Sequence, residues 1–156
     1  QGKMAYADAK RKARAAYWPH LKEDYKYPML KIIPVQNKTE QAQFCLQCQT
    51  KDDPRAFCYQ ITVDEKTVGI CLFSLRGKTG RLDALRNTPD AEDVDALFIA
   101  GRQALNFMEL SGAKDATADE TTISKDLLRR IGFRQTEQGM QMHIAGFFNA
   151  PCQHTE

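Results

Sequence analysis

The long amphipathic helix predicted over residues 88–111 is the feature that most restricts how this chain can fold. Its apolar positions recur at helical spacing: Val94, Leu97, Phe98, Gly101, Leu105 and Met108. Predicted strands flank it at residues 81–86 and 113–119. A helix between two strands carries the chain back to the end of the sheet where the first strand began. The second strand then runs in the same direction as the first, so the two should be parallel neighbours joined by a right-handed crossover.

The other predicted strands follow one another through short turns, as antiparallel strands do. They lie at residues 29–35, 56–63, 67–75, 133–137 and 140–147, and shorter helices are predicted at 38–49 and 124–130. Thr39, Thr88 and Ser124 are the predicted N-caps of the three helices. Pro34 indicates an edge position for the first strand or marks the end of that strand, since proline cannot donate to a neighbour. The class is therefore α+β, a three-layer arrangement in which helices flank a twisted, mixed and mostly antiparallel sheet.

The first 28 residues differ from the remainder in charge, and they are predicted to form a basic amphipathic helix and a connector. Residues 1–38 carry nine Lys and Arg against three Asp and Glu, whereas the remainder carries thirteen against seventeen. The apolar stripe of the helix comprises Tyr6, Ala9, Ala13, Ala16 and Tyr17. We expect this stripe to dock on a single domain at residues 29–156, or on a second copy in a homodimer. Nucleic acid is the less favoured partner, because no aromatic or glycine-rich nucleic-acid motif accompanies the basic residues.

The cysteines predict reduced, buried thiols and a cytoplasmic protein. Five is an odd number, and the cysteines lie in apolar surroundings unlike a secreted disulfide framework. The alternative is a zinc site formed by Cys45 and Cys48 with Cys152 and His154. The apolar helical pattern around Cys45 favours thiols without metal, so no metal is expected. The longest apolar run, residues 68–73, is far too short to cross a membrane, and no signal peptide precedes it.

The segment NTPDAEDVDALF at residues 87–98 places four carboxylates at the start of the long helix. Negative side chains there stabilise the helix dipole by roughly 0.3–1 kcal/mol each, which is the simpler explanation. Binding of a cation or of an amine-bearing partner is the functional alternative. His143 alternates with Met142 and Ile144, so it should face away from the core as a solvated rather than a catalytic residue.

The order of elements resembles the GCN5-related N-acetyltransferase (GNAT) family. The most specific match is LLRRIGF at residues 127–133, similar to the family's helix-to-strand segment that ends in Gly-Phe. TVGICL at 67–72 is similar to its strand that enters through a Val-Gly pair, and GAK at 112–114 ends the long helix. The resemblance covers residues 29–148. It implies the acyl-CoA N-acyltransferase fold and transfer of an acetyl or acyl group from coenzyme A to an amine of a small molecule or peptide.

The resemblance also implies site residues by their position in the fold. In the family, the central strand parts from its neighbour, backbone amides in the gap bind the pantetheine arm, and a glycine-rich turn holds the pyrophosphate. Leu85, Asn87, Asp93 and Asp95 occupy the cofactor-binding positions. A carboxylate or histidine takes a proton from the amine, and the candidates for this general base are Asp83 and Glu120.

Two departures from the family pattern bear on function, one on the binding of acetyl-CoA and one on the proton donor. The turn at residues 87–95 has no glycine, and Asp93 and Asp95 stand about where the family's glycines would be. Their repulsion predicts a Kd no tighter than about 0.1 mM. The position of the family's proton-donating tyrosine falls at Leu128. A second hypothesis follows, in which the chain is a non-catalytic relative that binds a ligand or protein partner in the same cleft.

Overall fold

A computed structural model describes residues 28–148 and contains one seven-stranded sheet. The predicted basic helix, Cys152 and His154 lie outside the described residues. The strands are β1 (Leu30–Pro34), β2 (Phe57–Val63), β3 (Lys66–Arg76), β4 (Thr79–Asn87), β5 (Asp115–Ala118), β6 (Arg134–Thr136) and β7 (Gly139–His143). Their spatial order is β1-β2-β3-β4-β5-β7-β6, and only β4 and β5 are parallel. The predicted parallel pair and α+β class are confirmed.

Within residues 28–148, three helices cover the two faces of the sheet: α1 (Lys38–Gln47), α2 (Val94–Leu110) and α3 (Lys125–Ile131). Alternate side chains of β3 show the division: Ile70 and Leu72 pack with the cluster under α1, whereas Cys71 and Phe73 pack with the cluster under α2 and α3. Because successive strand residues point to opposite faces, α1 lies on one side and the other two helices on the other. This is the predicted three-layer arrangement.

Two of the three predicted helix caps are wrong. Asn37, not Thr39, caps α1 by accepting a hydrogen bond from the Glu40 amide at 2.9 Å. Asp93, not Thr88, caps α2, so this helix begins at Val94. Asn and Asp are better N-caps than Thr, which explains both corrections. The third prediction, Ser124 as the cap of α3, is confirmed by its 3.1 Å bond from the Leu127 amide.

The turns and the sheet edge follow the chemistry of their residues. Asp64 and Glu65 adopt positive φ angles of 52° and 71°, as a tight hairpin turn between β2 and β3 requires. Pro34 lies in β1, which pairs only with β2, so its predicted edge position is confirmed. The strand predicted over residues 140–147 ends earlier, at His143, because the amides of Ile144 and Ala145 turn to the Lys114 carbonyl.

Candidate active site

β5 pairs with only the first half of β4, after which the two strands separate. The two strands pair from Thr79 opposite Asp115 to Leu82 opposite Ala118. β5 then ends, and the Asp119 amide makes a last 3.0 Å bond to the Leu82 carbonyl. β4 continues through residues 83–87 with β3 on one side and no described strand on the other. An unpaired strand edge presents backbone N–H and C=O groups to a ligand, so this gap is a place where an extended polar chain can bind.

Asp83 lies where the gap opens, on an irregularity of β4. Leu82 pairs with Phe73 and Ala84 pairs with Leu72, which leaves Asp83 as the extra residue of a β-bulge. Bulges redirect a side chain and are common beside active sites. The Thr122 hydroxyl donates to the Asp83 carbonyl at 2.9 Å, so the chain after β5 also touches this residue.

The Asp83 carboxyl group is partly shielded from water. Its side chain is 25% exposed, and Oδ1 accepts a hydrogen bond from Arg81 Nε at 3.0 Å. Oδ2 is buried and accepts no hydrogen bond of ordinary geometry. Burial raises the pKa of Asp83 above its usual 3.8, and Ser74 and Arg81 oppose that rise. A carboxylate with a raised pKa is a better proton acceptor than a solvated one.

Glu120, the other candidate base, is engaged in holding the structure. Its Oε2 accepts a 2.7 Å bond from the Met140 amide on β7, and its Oε1 lies 3.5 Å from Lys125 Nζ. A Cβ atom at Gly139 would lie 2.6 Å from the same Oε2, so the carboxylate fits closely over the β6–β7 turn. These contacts tie the end of β5 to β7.

The turn between β4 and α2 uses its own side chains to satisfy its backbone. Asn87 Oδ1 accepts from the Asp93 amide at 3.1 Å, and Asp93 Oδ1 accepts from the Ala96 amide at 3.0 Å. Phosphate groups bind helix starts through free amides of this kind. A carboxylate of the chain itself therefore occupies part of the α2 amino terminus.

The other carboxylates of the turn lie beside cations. Asp90 is 3.1 Å from Lys66 Nζ, and Asp95 bonds to Arg130 on α3. The Thr88 hydroxyl and then Lys66 lower the pKa of Asp90. With Val63, Val68, Val94 and Glu92, these acids line an open depression of about 670 Å³. As the cap of α2, Asp93 has a structural role at the helix start. Residues 28–148 contain no group of three His, Cys, Asp or Glu arranged to hold a metal.

Two apolar positions of the expected site are core residues. Leu85 is 3% exposed and packs against α2 at Gly101, so only its backbone can face the gap. Leu128 on α3 is fully buried. Cys45 and Cys48 are also buried in the cluster under α1, with Cys58, so their predicted place in the core is confirmed.

Arginines fasten α3 to α2 beside the gap. Arg102 Nε donates to the Ile131 carbonyl at 2.7 Å. The guanidinium groups of Arg102 and Arg130 lie 5.0 Å and 4.7 Å from the centre of the Phe98 ring. Such cation–π contacts add to the Asp95–Arg130 ion pair. We call this set the α2–α3 clamp.

The face of the sheet opposite α2 is polar and open beyond α1. A depression of about 440 Å³ is lined by Ser74, Arg76, Thr79, Arg81 and Thr117. It shares Thr79 and Thr117 with a larger groove of about 880 Å³ over β5, β7 and β6. His143 in that groove is 70% exposed, as predicted, and its Nδ1 lies 2.9 Å from Asp115. An acceptor molecule has room to approach the sheet here.

Sequence reasoning made Asp83 a candidate but did not predict its surroundings. Arg81, Ser74 and Thr122 converge on it from β4, β3 and the turn after β5. The spacing of Arg81 and Asp83, two apart on a strand, was a signal for a same-face pair. Nothing in the sequence marked the bulge.

Among residues 28–148, no helix is long and apolar enough to cross a membrane.

The fold is shared with solved acetyltransferases, although no protein-family model and no curated protein sequence matches the chain. One similar structure is the ribosomal-protein-S18-alanine N-acetyltransferase from Escherichia coli, 14% identical, with 75% of this chain and 95% of that chain covered and a TM-score of 0.60. Another is the aminoglycoside N-acetyltransferase AAC(6')-Iy in complex with CoA, 16% identical, with coverages of 75% and 94% and a TM-score of 0.51. At these identities the likeness shows the fold, which is the acyl-CoA N-acyltransferase fold expected above.

Proposed function

We propose that this chain is a divergent GNAT protein that transfers an acyl group, acetyl in the simplest case, from coenzyme A to an amine. The single observation that carries the proposal is the position of Asp83, on a bulge of β4 at the point where β5 leaves it. The shared fold supports it, because the neighbours named above are N-acetyltransferases and one of them is a complex with CoA.

In the proposed reaction, Asp83 is the general base. Acyl-coenzyme A, when bound, would supply the acyl thioester and leave as the free thiol. Asp83 accepts the proton that the amine loses as its nitrogen is acylated, either directly or through one water. Thr122 bonds to the Asp83 carbonyl and Glu120 accepts from the Met140 amide, so these two residues fix the chain after β5 beside Asp83. Leu128 has no proton to give to the departing sulfur, so another donor, such as solvent, must supply that proton.

The two halves of the expected cofactor site fit coenzyme A unequally. The unpaired edge of β4 at residues 83–87 suits the amide groups of a pantetheine arm. Asp93, by contrast, places a carboxylate on the helix start that would receive the pyrophosphate. The side-chain amide of Asn87 donates to the Val68 carbonyl and accepts from the Asp93 amide. It therefore supports Asp93, and its side-chain N–H groups are not free for phosphate. We therefore expect acetyl-CoA to bind weakly.

The acceptor in this proposal is a small-molecule amine or a peptide that lies on the polar face of the sheet. Thr79 and Thr117 line both depressions there, so one continuous surface leads toward β4. Asp115 and Asp119 lie along this side of β5, paired with His143 and Arg81. Arg76 lines the same surface, so charge alone does not select the acceptor.

The second candidate function is binding without acyl transfer. The observations that favour it are the carboxylate cap at α2 and the buried Leu128. A protein of this kind would use the gap or the open face for a ligand or protein partner. It would bind its ligand equally well whether or not Asp83 can accept a proton.

Calorimetric titration with acetyl-CoA, together with a thiol-release assay on a panel of amines and peptides, separates the two functions. For an enzyme, Asp83→Asn lowers the rate by about 10²- to 10⁴-fold and leaves acetyl-CoA affinity unchanged. Asp126→Asn is the matched control, because Asp126 is 97% exposed on α3 and pairs with Arg129. Absence of thiol release across the panel, or full activity of Asp83→Asn, would contradict the proposal.

A further inference from the structure

Arg81 contacts carboxylates on both sides of the gap. Its Nε donates to Asp83 Oδ1 at 3.0 Å, and its Nη2 lies 3.4 Å from Asp119 Oδ2. Asp83 belongs to β4, and Asp119 is the first residue after β5. One guanidinium group therefore spans the two strands at the place where they separate.

Asp119 is itself held firmly. Its Oδ1 accepts bonds from the Thr121 amide at 2.9 Å and from the Thr121 hydroxyl. Its other oxygen is left to face Arg81. The guanidinium is planar and has donors on several nitrogens, so it can bond two carboxylates in fixed directions at once. A lysine could supply the charge but not this geometry.

We propose that Arg81 is a positioning residue, which holds the Asp83 carboxylate at the mouth of the gap by anchoring it to Asp119 across the diverging strands. This inference rests on the proposed function, because it assigns Arg81 to the same base. It adds a residue whose side chain is half exposed on the open face and which touches neither the β4–α2 turn nor α3.

The charges around Asp83 give Arg81 a second effect. On β3, Ser74 lowers the pKa of Asp83, and Cys71 is a buried neutral thiol. Asp53, in the loop after α1, raises that pKa. Arg81 is the cation that opposes both burial and Asp53. Removing it should therefore make Asp83 harder to ionise, so that the carboxylate is the active form over a narrower pH range.

The test uses Arg81→Gln and Arg81→Lys in the full chain. The readouts are the pH profile of kcat/KM for acetyl transfer and the titration of the Asp83 carboxyl carbon by NMR. Arg81→Gln should move both the pH profile of kcat/KM and the titration of Asp83 to higher pH. On the acid side of the profile kcat/KM should fall about tenfold, and it should recover at alkaline pH. Arg81→Lys should restore part of the loss, and the KM for acetyl-CoA should stay unchanged in both variants.

Arg129→Gln is the control, since Arg129 pairs with Asp126 on the outer surface of α3. It should leave the titration of Asp83 and the pH profile as they are. Wild-type titration of Asp83 in Arg81→Gln would overturn the inference. If Arg81→Gln fails to fold, the comparison of Arg81→Lys with wild type decides by the same titration. If the wild-type protein transfers no acetyl group, the proposed function fails, while the NMR titration still decides whether Arg81 controls Asp83.

Discussion

The carboxylate cap of α2 leads to the sharpest prediction, for the variant Asp93→Asn. Asp93 Oδ1 lies 3.0 Å from the Ala96 amide, so a phosphate seated on the same helix end would be about 5 Å from that oxygen. Two unit charges at this distance repel by about 3 kcal/mol at an effective dielectric constant near 20. The helix dipole offsets about 1 kcal/mol, and solvent screening reduces the remainder.

We expect a net penalty of about 1–2 kcal/mol from Asp93 alone. Asp95 contributes less than its formal charge suggests, because Arg130 pairs with it. Asparagine keeps the capping oxygen and removes the charge, so Asp93→Asn should bind acetyl-CoA about five- to thirtyfold more tightly. Its free energy of unfolding should fall by no more than about 1 kcal/mol, the loss of one favourable charge at the helix start.

Isothermal titration calorimetry and urea unfolding provide the two measurements. Asp93→Ala is the informative partner variant, because it removes both charge and cap and should lower the stability by a further ~1 kcal/mol. Asp126→Asn removes an exposed acid at the start of α3 and should leave the Kd for acetyl-CoA unchanged. Equal affinity of wild type and Asp93→Asn, within about twofold, would show that the carboxylate does not face the ligand.

Three further predictions concern thiols, acid stability and packing. Burial raises the pKa values of the Cys45, Cys48 and Cys58 thiols to about 12, 11 and 12. None of these three thiols should therefore react with iodoacetamide at pH 8 in the folded protein. A zinc chelator should leave the Tm of the protein unchanged. Because the pKa of Asp83 is raised in the folded state, its ionisation disfavours folding at neutral pH. Asp83→Asn should thus be more stable than wild type at pH 7, and this difference should vanish as the pH falls below about 3.9 in urea titrations. A Cβ atom at Gly69 would lie 2.6 Å from the Arg86 carbonyl, so Gly69→Ala should lower the free energy of unfolding by about 1–3 kcal/mol, whereas Gly77→Asn, at an open turn with φ 64°, should change it little.

The sequence was sufficient for the order of elements, because that order depends on periodicity. The spacing of apolar residues in α2 predicted the parallel pairing of β4 and β5, and Pro34 predicted the edge strand. These signals act over a few residues and do not depend on distant contacts. Helix starts were less predictable, since several capping residues stood close together and the stronger caps, Asn and Asp, are used in place of Thr. Asp93 displaced Thr88 in this way.

The candidate site was only partly predictable, because it depends on register. Asp83 was identified by its place on a strand before a long helix. The bulge that directs it arises from a shift between β3 and β4, which no local pattern encodes. The same holds for Arg130, whose bond to Asp95 joins residues 35 apart in sequence. Long-range side-chain pairs of this kind could not be inferred from spacing.

The α2–α3 clamp has a consequence for hydrogen exchange. Arg102, Arg130 and Phe98 join the two helices, and Ile131 packs closely on Gly101 of α2. A seven-residue helix would fray and exchange its amides rapidly if it stood alone. Fastened in this way, α3 belongs to the same cooperative unit as α2, and its buried amides should exchange at the rate of global opening.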